Sequence, residues 1–418
     1  MSCSVGSTAM TNGQQADDWT LRKLADVAEV VGGGTPSTKN TANFGGDVAW
    51  VTPKDLAAHK SRHISHGERS LSQMGLSASS AKLLPTGSVL VSSRAPIGLT
   101  AITTAPVATN QGCRSLVPDN KLVDTEFLYY LMSGSTAYLH QHANGTTFQE
   151  LPGGVMKQLE FLFPRLEEQR RIAGVLGALD AKIESCARIA KKCHQQIISA
   201  YEVSMEQSVD DGDTVPRALG TVVDMVGGGT PSTKEGKYWT PAEHLWATPR
   251  DLSQLSVPAL IDTDRSLSSD GLKKVSSGLL PSRSLLMSSR APVGYLALTD
   301  EKVAINQGFI AIKPTAEKLS PVFMLGWCTA NMEEIQMRAG GSTFQEISKK
   351  SFGTMTVDVP SAASLDQLER RCTPSVDVMM QMVREIRALS SLRDFLLPRL
   401  LSGELRVAAA EDMAGAAS

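Results

Sequence analysis

Between Glu167 and about Met205 the apolar residues Leu176, Leu179, Ile183, Cys186, Ala190, Cys193, Ile197 and Ala200 recur at alternating spacings of three and four. That period gathers them on one stripe of an α-helix, a heptad seam that needs a partner helix to cover it. Lys182, Glu184, Arg188, Lys191 and Gln195 fall off the stripe and predict a wet face. No Gly or Pro interrupts the run after Gly177. A second stripe, Val376, Met379, Val383, Ile386, Leu389 and Leu396, predicts a second amphipathic helix from Ala363 to about Leu401. A helix, then a domain, then a helix favours antiparallel pairing, because the intervening domain returns the chain. Shorter patterns predict strands at Ser88–Ser92 and Ser284–Ser288, a short helix at Gly75–Leu83, and longer helices from Asp124 to about His140 and from Ser320 to Met337. Clusters of Gly, Pro, Ser and Thr between them predict loops.

The long stripes follow two copies of one sequence. Val31–Lys39 and Val226–Lys234 are the same nine residues, VGGGTPSTK. Trp50-Val51-Thr52-Pro53-Lys54-Asp55-Leu56 then matches Trp246-Ala247-Thr248-Pro249-Arg250-Asp251-Leu252. Ser92–Gly98 matches Ser288–Gly294, Asn110-Gln111-Gly112 matches Asn306-Gln307-Gly308, and Thr147–Glu150 matches Thr343–Glu346. From Trp50 onward equivalent positions stand 196 apart. That period is far too long for a solenoid, so this is a duplicated domain. The expected organisation is a disordered tail (1–18), a first globular copy (19–164), a first long helix (165–207), a polar linker (208–216), a second copy (217–360), a second long helix (361–406) and a frayed Ala-rich tail (407–418). The fold class is mixed α/β (α+β).

Composition narrows the picture a little. The chain has 418 residues, 42% of them hydrophobic and 20% charged, which is ordinary for a globular protein of two or three domains. No apolar run is long enough to span a bilayer. The N-terminus lacks a basic stretch followed by an apolar core, so no signal peptide is expected. Six scattered Cys without a CxxC pair suggest reduced thiols and a cytoplasmic location. The formal net charge of −2 does not itself point to nucleic acid.

The chemistry-bearing residues divide by whether they repeat. The glycine loop reads either as an anion cradle or as a tight turn; without Gly-Lys-Ser/Thr it is not a P-loop. Arg94 and Arg290, each before Ala-Pro, suit a phosphate or the O6/N7 edge of guanine, or an ion pair that holds the loop. Asn110-Gln111 and Asn306-Gln307 suit adenine, or backbone groups at a turn. Residues identical in both copies cannot tell two targets apart, so discrimination is expected where the copies differ. The clearest such place is the basic, His-rich Ala57–Glu68 against the apolar and acidic Ser253–Asp264. His59, His63 and His66 have spacings that suit one helical face, but no Cys or carboxylate completes a metal set and copy two has no counterpart, so no metal is expected. No HExxH, GxSxG, Walker A or GxGxxG motif is present, and no catalytic residue is expected.

From Trp19 to about Val407 these features resemble the specificity subunit of type I restriction–modification systems. The resemblance rests on the paired WxTPxDL, SSRAPxG, NQG and GxTFQE segments, the Pro164–Ala173 opening of the first helix and the Leu396–Leu405 close of the second. One departure is that Ser361–Gln367 replaces the usual Pro-Leu-x-Glu-Gln opening. The resemblance implies two target recognition domains on an antiparallel two-helix coiled coil with pseudo-two-fold symmetry, each reading one part of a bipartite site in double-stranded DNA. The helices would set the spacer: roughly 38 residues reach ~57 Å, on the order of 15 base pairs. They would also dock two methylation subunits carrying S-adenosylmethionine, and through them restriction subunits using ATP and Mg; no cofactor is expected in this chain. On that reading the DNA-contact candidates are Lys39, Lys54, Lys60, Arg62, His63, Arg69, Arg94, Asn110 and Gln111, with Lys234, Arg250, Arg265, Arg290, Asn306 and Gln307 in the second copy. The helix-seam candidates are Leu176, Leu179, Ile183, Ile197, Val376, Met379, Val383 and Ile386. The alternative is a non-catalytic scaffold that carries two protein-binding domains on a coiled coil.

Overall fold

The computed structural model describes residues 19–59, 61–145, 149–290, 292–340 and 345–416. The expected tail before Trp19 lies outside them. The chain forms two compact units: residues up to Glu184 together with Ala388 onward, and Ser185–Arg387.

The first unit is built on a five-stranded sheet in the order Ala28–Gly32, Arg114–Pro118, Val89–Ser93, Ile97–Thr103, His63–Ile64. Its neighbours are antiparallel except the last pair, which is parallel. The run of apolar residues in Val89–Ser93 follows from its central place, buried on both faces. Val89 and Val91 join the core under the helix Thr125–Gly134, while Leu90 joins a smaller cluster with Val51, Leu84 and Val107 on the other face. A three-stranded sheet, Arg69–Leu71, Phe44–Val51, Ala108–Thr109, and a ribbon pairing Thr20–Lys23 with Glu160–Phe163 complete the unit.

The second unit repeats this plan. Its five-stranded sheet runs Met225–Gly227, Phe309–Ile312, Leu285–Ser288, Leu296–Thr299, Ala259–Leu260. Its three-stranded sheet runs Arg265–Leu267, His244–Ala247, Val303–Ile305. The ribbon pairs Thr214–Ala218 with Thr356–Pro360. Leu285 and Met287 again face one core and Leu286 the other.

The long helices run from Leu166 to Asp210 and from Ala362 to Leu401. In the first unit Ile172, Leu176 and Leu179 share a core with Leu389, Leu396 and Leu400, and Ile183 packs at its margin. In the second unit Ala190, Cys193, Ile197 and Ala200 share a core with Leu368, Val376 and Met379, with Val383 at its margin. Early residues of one helix thus meet late residues of the other, so the pairing is antiparallel. Ile386 is half-buried, and the five polar residues expected on the wet face of the first helix are exposed.

Four expectations are corrected. The short helix expected at Gly75–Leu83 runs instead from Gln73 to Ser77, capped by the Ser72 hydroxyl. Residues 208–216 are not a free linker: the helix continues to Asp210, and Thr214–Ala218 is an exposed strand held by backbone pairing with Thr356–Pro360. Residues 407–416 are not frayed: Val407–Ala416 is a helix of good helix formers, with Val407 and Ala410 buried in the first unit's core. The single helices expected from Asp124 and Ser320 each break in two, after Gly134 and after Ala330. At the second break the Asn331 side chain donates to the Trp327 carbonyl, which competes with helix continuation.

Candidate nucleic-acid interface

The repeated residues build the same loop platform in each unit. A Cβ on Gly33 would stand 2.1 Å from the Asn110 carbonyl oxygen, and one on Gly228 would stand 2.0 Å from that of Ile305. Glycine is therefore required for close packing. The Gly34 N–H donates to the Thr109 carbonyl at 2.8 Å and the Gly229 N–H to Ile305 at 2.9 Å. The indole N–H groups of Trp50 and Trp246 donate back to Gly34 and Gly229, both at 3.2 Å. The glycine loop is thus a packed turn, with these N–H groups committed to carbonyls rather than open to an anion.

The Thr-Pro-x-Asp segments are capping boxes. The Asp55 carboxylate accepts from the Thr52 N–H at 2.8 Å, the Thr52 hydroxyl at 2.6 Å and the Glu68 N–H at 2.8 Å. Burial alone would raise its pKa, but these hydrogen bonds outweigh it and hold the carboxyl below the usual range. Asp251 makes the same bonds to Thr248 and to the Asp264 N–H. The Ser92 hydroxyl donates to the Pro96 carbonyl and accepts from the Leu99 N–H, and Ser288 does the same with Pro292 and Tyr295.

Four of the charged candidates on this platform, Lys54, Arg94, Arg250 and Arg290, pair with a neighbouring carboxylate. Arg94 pairs with Glu150 at 3.6 Å, and Arg290 with Glu346 at 4.0 Å. Lys54 pairs with Glu68 at 2.8 Å, and Arg250 with Asp264 at 3.9 Å. Asn110 and Asn306 accept from the N–H of Gly112 and Gly308, and Gln111 and Gln307 accept from the hydroxyls of Thr35 and Thr230. These amide oxygens therefore hold the turn. Lys39 and Lys234 are exposed at the ends of the glycine loops. Arg69 lies over the Phe44 ring at 4.0 Å and Arg265 over the Trp239 ring at 3.5 Å. In the first unit Lys54, Arg69, Arg94, Asn110 and Trp50 border a cavity of ≈ 720 Å³. Lys60 and the Thr-Phe pairs of the TFQE segments lie outside the described residues.

The segment Ala57–Glu68 turns part of its basic character toward the protein itself. Arg62 points inward: its Nη1 donates to the Tyr130 hydroxyl at 2.9 Å, and its Nε lies 3.5 Å from Glu126. Tyr130 donates to Asp180 of the first long helix at 2.6 Å, and Arg393 of the second donates to the other Asp180 oxygen at 2.9 Å. Burial first, and the Asp180 charge second, raise the Tyr130 pKa well above its ordinary value, so it stays a donor. His63 bonds Glu126 at 3.0 Å, and Ser61 donates to Glu184 at 2.8 Å. Arg62 and His63 therefore clasp the loop to Tyr130 and Glu126 of the helix Thr125–Gly134. The physical reason is that Asp180, Glu184 and Glu126 attract the basic loop inward. The expected helical face of imidazoles is absent because the helix ends at Ala58 and His63 begins a strand. His59 instead bonds the His63 carbonyl oxygen at 2.7 Å, and His66 bonds Ser65 at 2.8 Å.

In the second unit the matching segment is acidic and the helix it meets is basic. Asp262 pairs with Arg387 and Asp300 with Arg384 of the second long helix. Arg283 pairs with Asp377 one face-repeat earlier, at 2.5 Å. Several of these residues escape the sequence pattern. Asp180 and Arg393 sit among ordinary surface charges, and Tyr130 stands where the second copy has Gly326. There the Tyr201 ring of the first long helix fills the slot that Gly326 opens, 2.2 Å from where a Cβ would be. Arg114, whose counterpart is Ile310, adds a second cation on Glu150 at 2.9 Å. Gln169 is buried at the start of the first long helix, where it donates to Leu122 and Pro164 and accepts from Asp124.

A family model described as the type I restriction modification DNA specificity domain matches residues 16–192 and again 212–368. The specificity subunit of the type I restriction enzyme MjaIX of Methanocaldococcus jannaschii is 29% identical over 421 aligned positions, covering 94% of this chain and 95% of that one. The HindI specificity subunit of Haemophilus influenzae is 32% identical over 152 positions, 36% of this chain and 32% of that one. The crystal structure of a type I restriction–modification S subunit from M. genitalium superposes with a TM-score of 0.62 at 15% identity, covering 93% of this chain and 98% of that one. With the duplicated fold, the shared platform and two ordered copies of the domain in hand, the chain belongs to the type I restriction–modification DNA specificity family.

Proposed function

We propose that the chain is the DNA-reading subunit of a type I restriction–modification complex, with each unit reading one part of a bipartite, asymmetric site in double-stranded DNA. The observation that carries this is the ordered double match to the specificity domain, at residues 16–192 and 212–368. Two copies of one domain with unlike variable positions suit two unlike half-sites. The long helices act as the spacer ruler; the first has 45 residues and thus about 68 Å of contour. They also dock two methylation subunits, which supply S-adenosylmethionine chemistry, and through them restriction subunits driven by ATP and Mg. The chain contributes recognition and no turnover, and it acts in the cytoplasm. Partners with basic surface account for a DNA-reading chain whose own net charge is −2.

The test is co-expression with a type I methylation subunit, followed by sequencing of modified bases on host DNA. A split motif with a fixed spacer and methylated adenines is expected. A stable complex that neither modifies DNA nor binds a specific duplex would replace this function with that of a protein scaffold.

A further inference from the structure

Arg69 and Arg265 differ from the other arginines of the platform. Both open the same tetrapeptide, Arg-Ser-Leu-Ser, at residues 69–72 and 265–268. Both lie on the edge strand of the three-stranded sheet, directly across from the repeated Trp50 and Trp246. Each guanidinium rests on the outer ring of an aromatic corner: Phe44 against Trp50 with centroids 6.0 Å apart, or Trp239 against Trp246 at 5.1 Å. Both are exposed, and among the described residues neither has a carboxylate partner. Arg94, Arg114, Arg250 and Arg290 all do. Stacking fixes the plane of a guanidinium while leaving its donor rim outward, ready for a bidentate anion. In the first unit Arg69 also lines the cavity of ≈ 720 Å³.

We propose that Arg69 and Arg265 are a duplicated pair of phosphodiester forks, each gripping an equivalent backbone phosphate of its own half-site. This rests on the DNA-reading function proposed above. A phosphate is the ligand that fits, because the same Arg in the same setting serves two unlike half-sites and so carries no base information. The last Ser of each tetrapeptide holds the end of the edge strand: Ser72 and Ser268 accept from Gly75 and Gly271 to cap the next helix, and their hydroxyls donate to Ala42 and Lys237.

The experiment uses the complex with the methylation subunit and the variants R69A, R69K, R265A and R265K. Binding to the cognate duplex and to a duplex with both half-sites scrambled is measured across a salt series, with melting temperature as the folding control. Each Ala variant is expected to bind both duplexes about tenfold more weakly. Its log affinity against log salt should flatten by about 0.9. The methylated motif should not change. The Lys variants should keep the salt slope and lose part of the affinity, because a point charge replaces a stacked fork. A motif relaxed at one base in a single half-site overturns the phosphate assignment in favour of base reading. Affinity and slope equal to wild type, in a complex that binds its cognate site, overturn this proposal alone. A wild-type complex that prefers neither duplex overturns the DNA-reading function and this proposal with it.

Discussion

Asp180 shows how one side chain can hold a domain to a helix. Its two oxygens take hydrogen bonds from Tyr130 and Arg393, while Arg62 bonds the same tyrosine. Replacing Asp180 with Ala would strand a buried hydroxyl and a partly buried guanidinium, at a cost of about 3 kcal/mol. Urea denaturation followed in the first unit should show a lower midpoint; an unchanged midpoint would mean that solvent satisfies both groups. The cysteines offer a check on burial. Burial pushes the Cys113 thiol up to about 12 and that of Cys372 up to about 11, and it also raises Cys328. Since the thiolate is the reactive form, native-state alkylation at these positions should stay slow as pH rises from 7 to 9. Unfolded thiols ionise near 9, so stability attributable to these groups is complete below that pH and falls as pH climbs toward the folded values. Mass-spectrometric mapping of alkylated sites, native against denatured, tests this. Rapid native labelling of Cys113 would contradict its burial.

At the scale of elements, the contrast between Ala57–Glu68 and Ser253–Asp264 acquires a different cause. In the first unit Arg62 and His63 of the loop meet Glu126, Arg62 reaches Asp180 of the following helix through Tyr130, and Ser61 bonds Glu184; in the second unit Asp262 of the loop meets Arg387. Each domain is thus matched to its own helix segment, and the slot over Gly326 for Tyr201 reinforces the match. Exchanging Ala57–Glu68 for Ser253–Asp264 would put Pro258 where Arg62 stands and Ala259 where His63 stands, removing the groups that bond Tyr130 and Glu126. The exchanged protein should lose about 3 kcal/mol or more in the first unit while keeping its methylated motif. A changed half-site with unchanged stability would return the segment to target reading. The exposed pairs Arg283–Asp377 and Arg387–Asp262 of the second unit contribute less, since solvent and salt screen them.

For the whole molecule, the prediction concerns helix length. Removing one heptad from both long helices keeps each seam in phase and shortens the pair by about 10 Å. The bipartite motif read from modified host DNA should then have a shorter spacer with both half-sites retained. An unchanged spacer would mean that another element sets it.

Much of this was legible along the chain. The heptad seam located both long helices because a 3.5-residue period on a helix leaves no other way to bury Leu176, Leu179, Cys193 and Ile197. The repeat at a constant offset required one fold twice, and it marked the residues whose work is shared. Gly33, Trp50, Asp55 and Ser92 prove to be makers of the loop platform, each satisfied by local backbone. Tertiary structure decided which charges remain available. Arg62 and Arg69 are seven residues apart and alike in sequence, yet one is drawn inward to Tyr130 and Glu126 while the other lies on Phe44 at the surface. That difference depends on partners from distant parts of the chain, Asp180 and Arg393 among them. No local pattern encodes such contacts, since an acidic residue on the polar face of a helix looks the same whether it meets water or a buried hydroxyl.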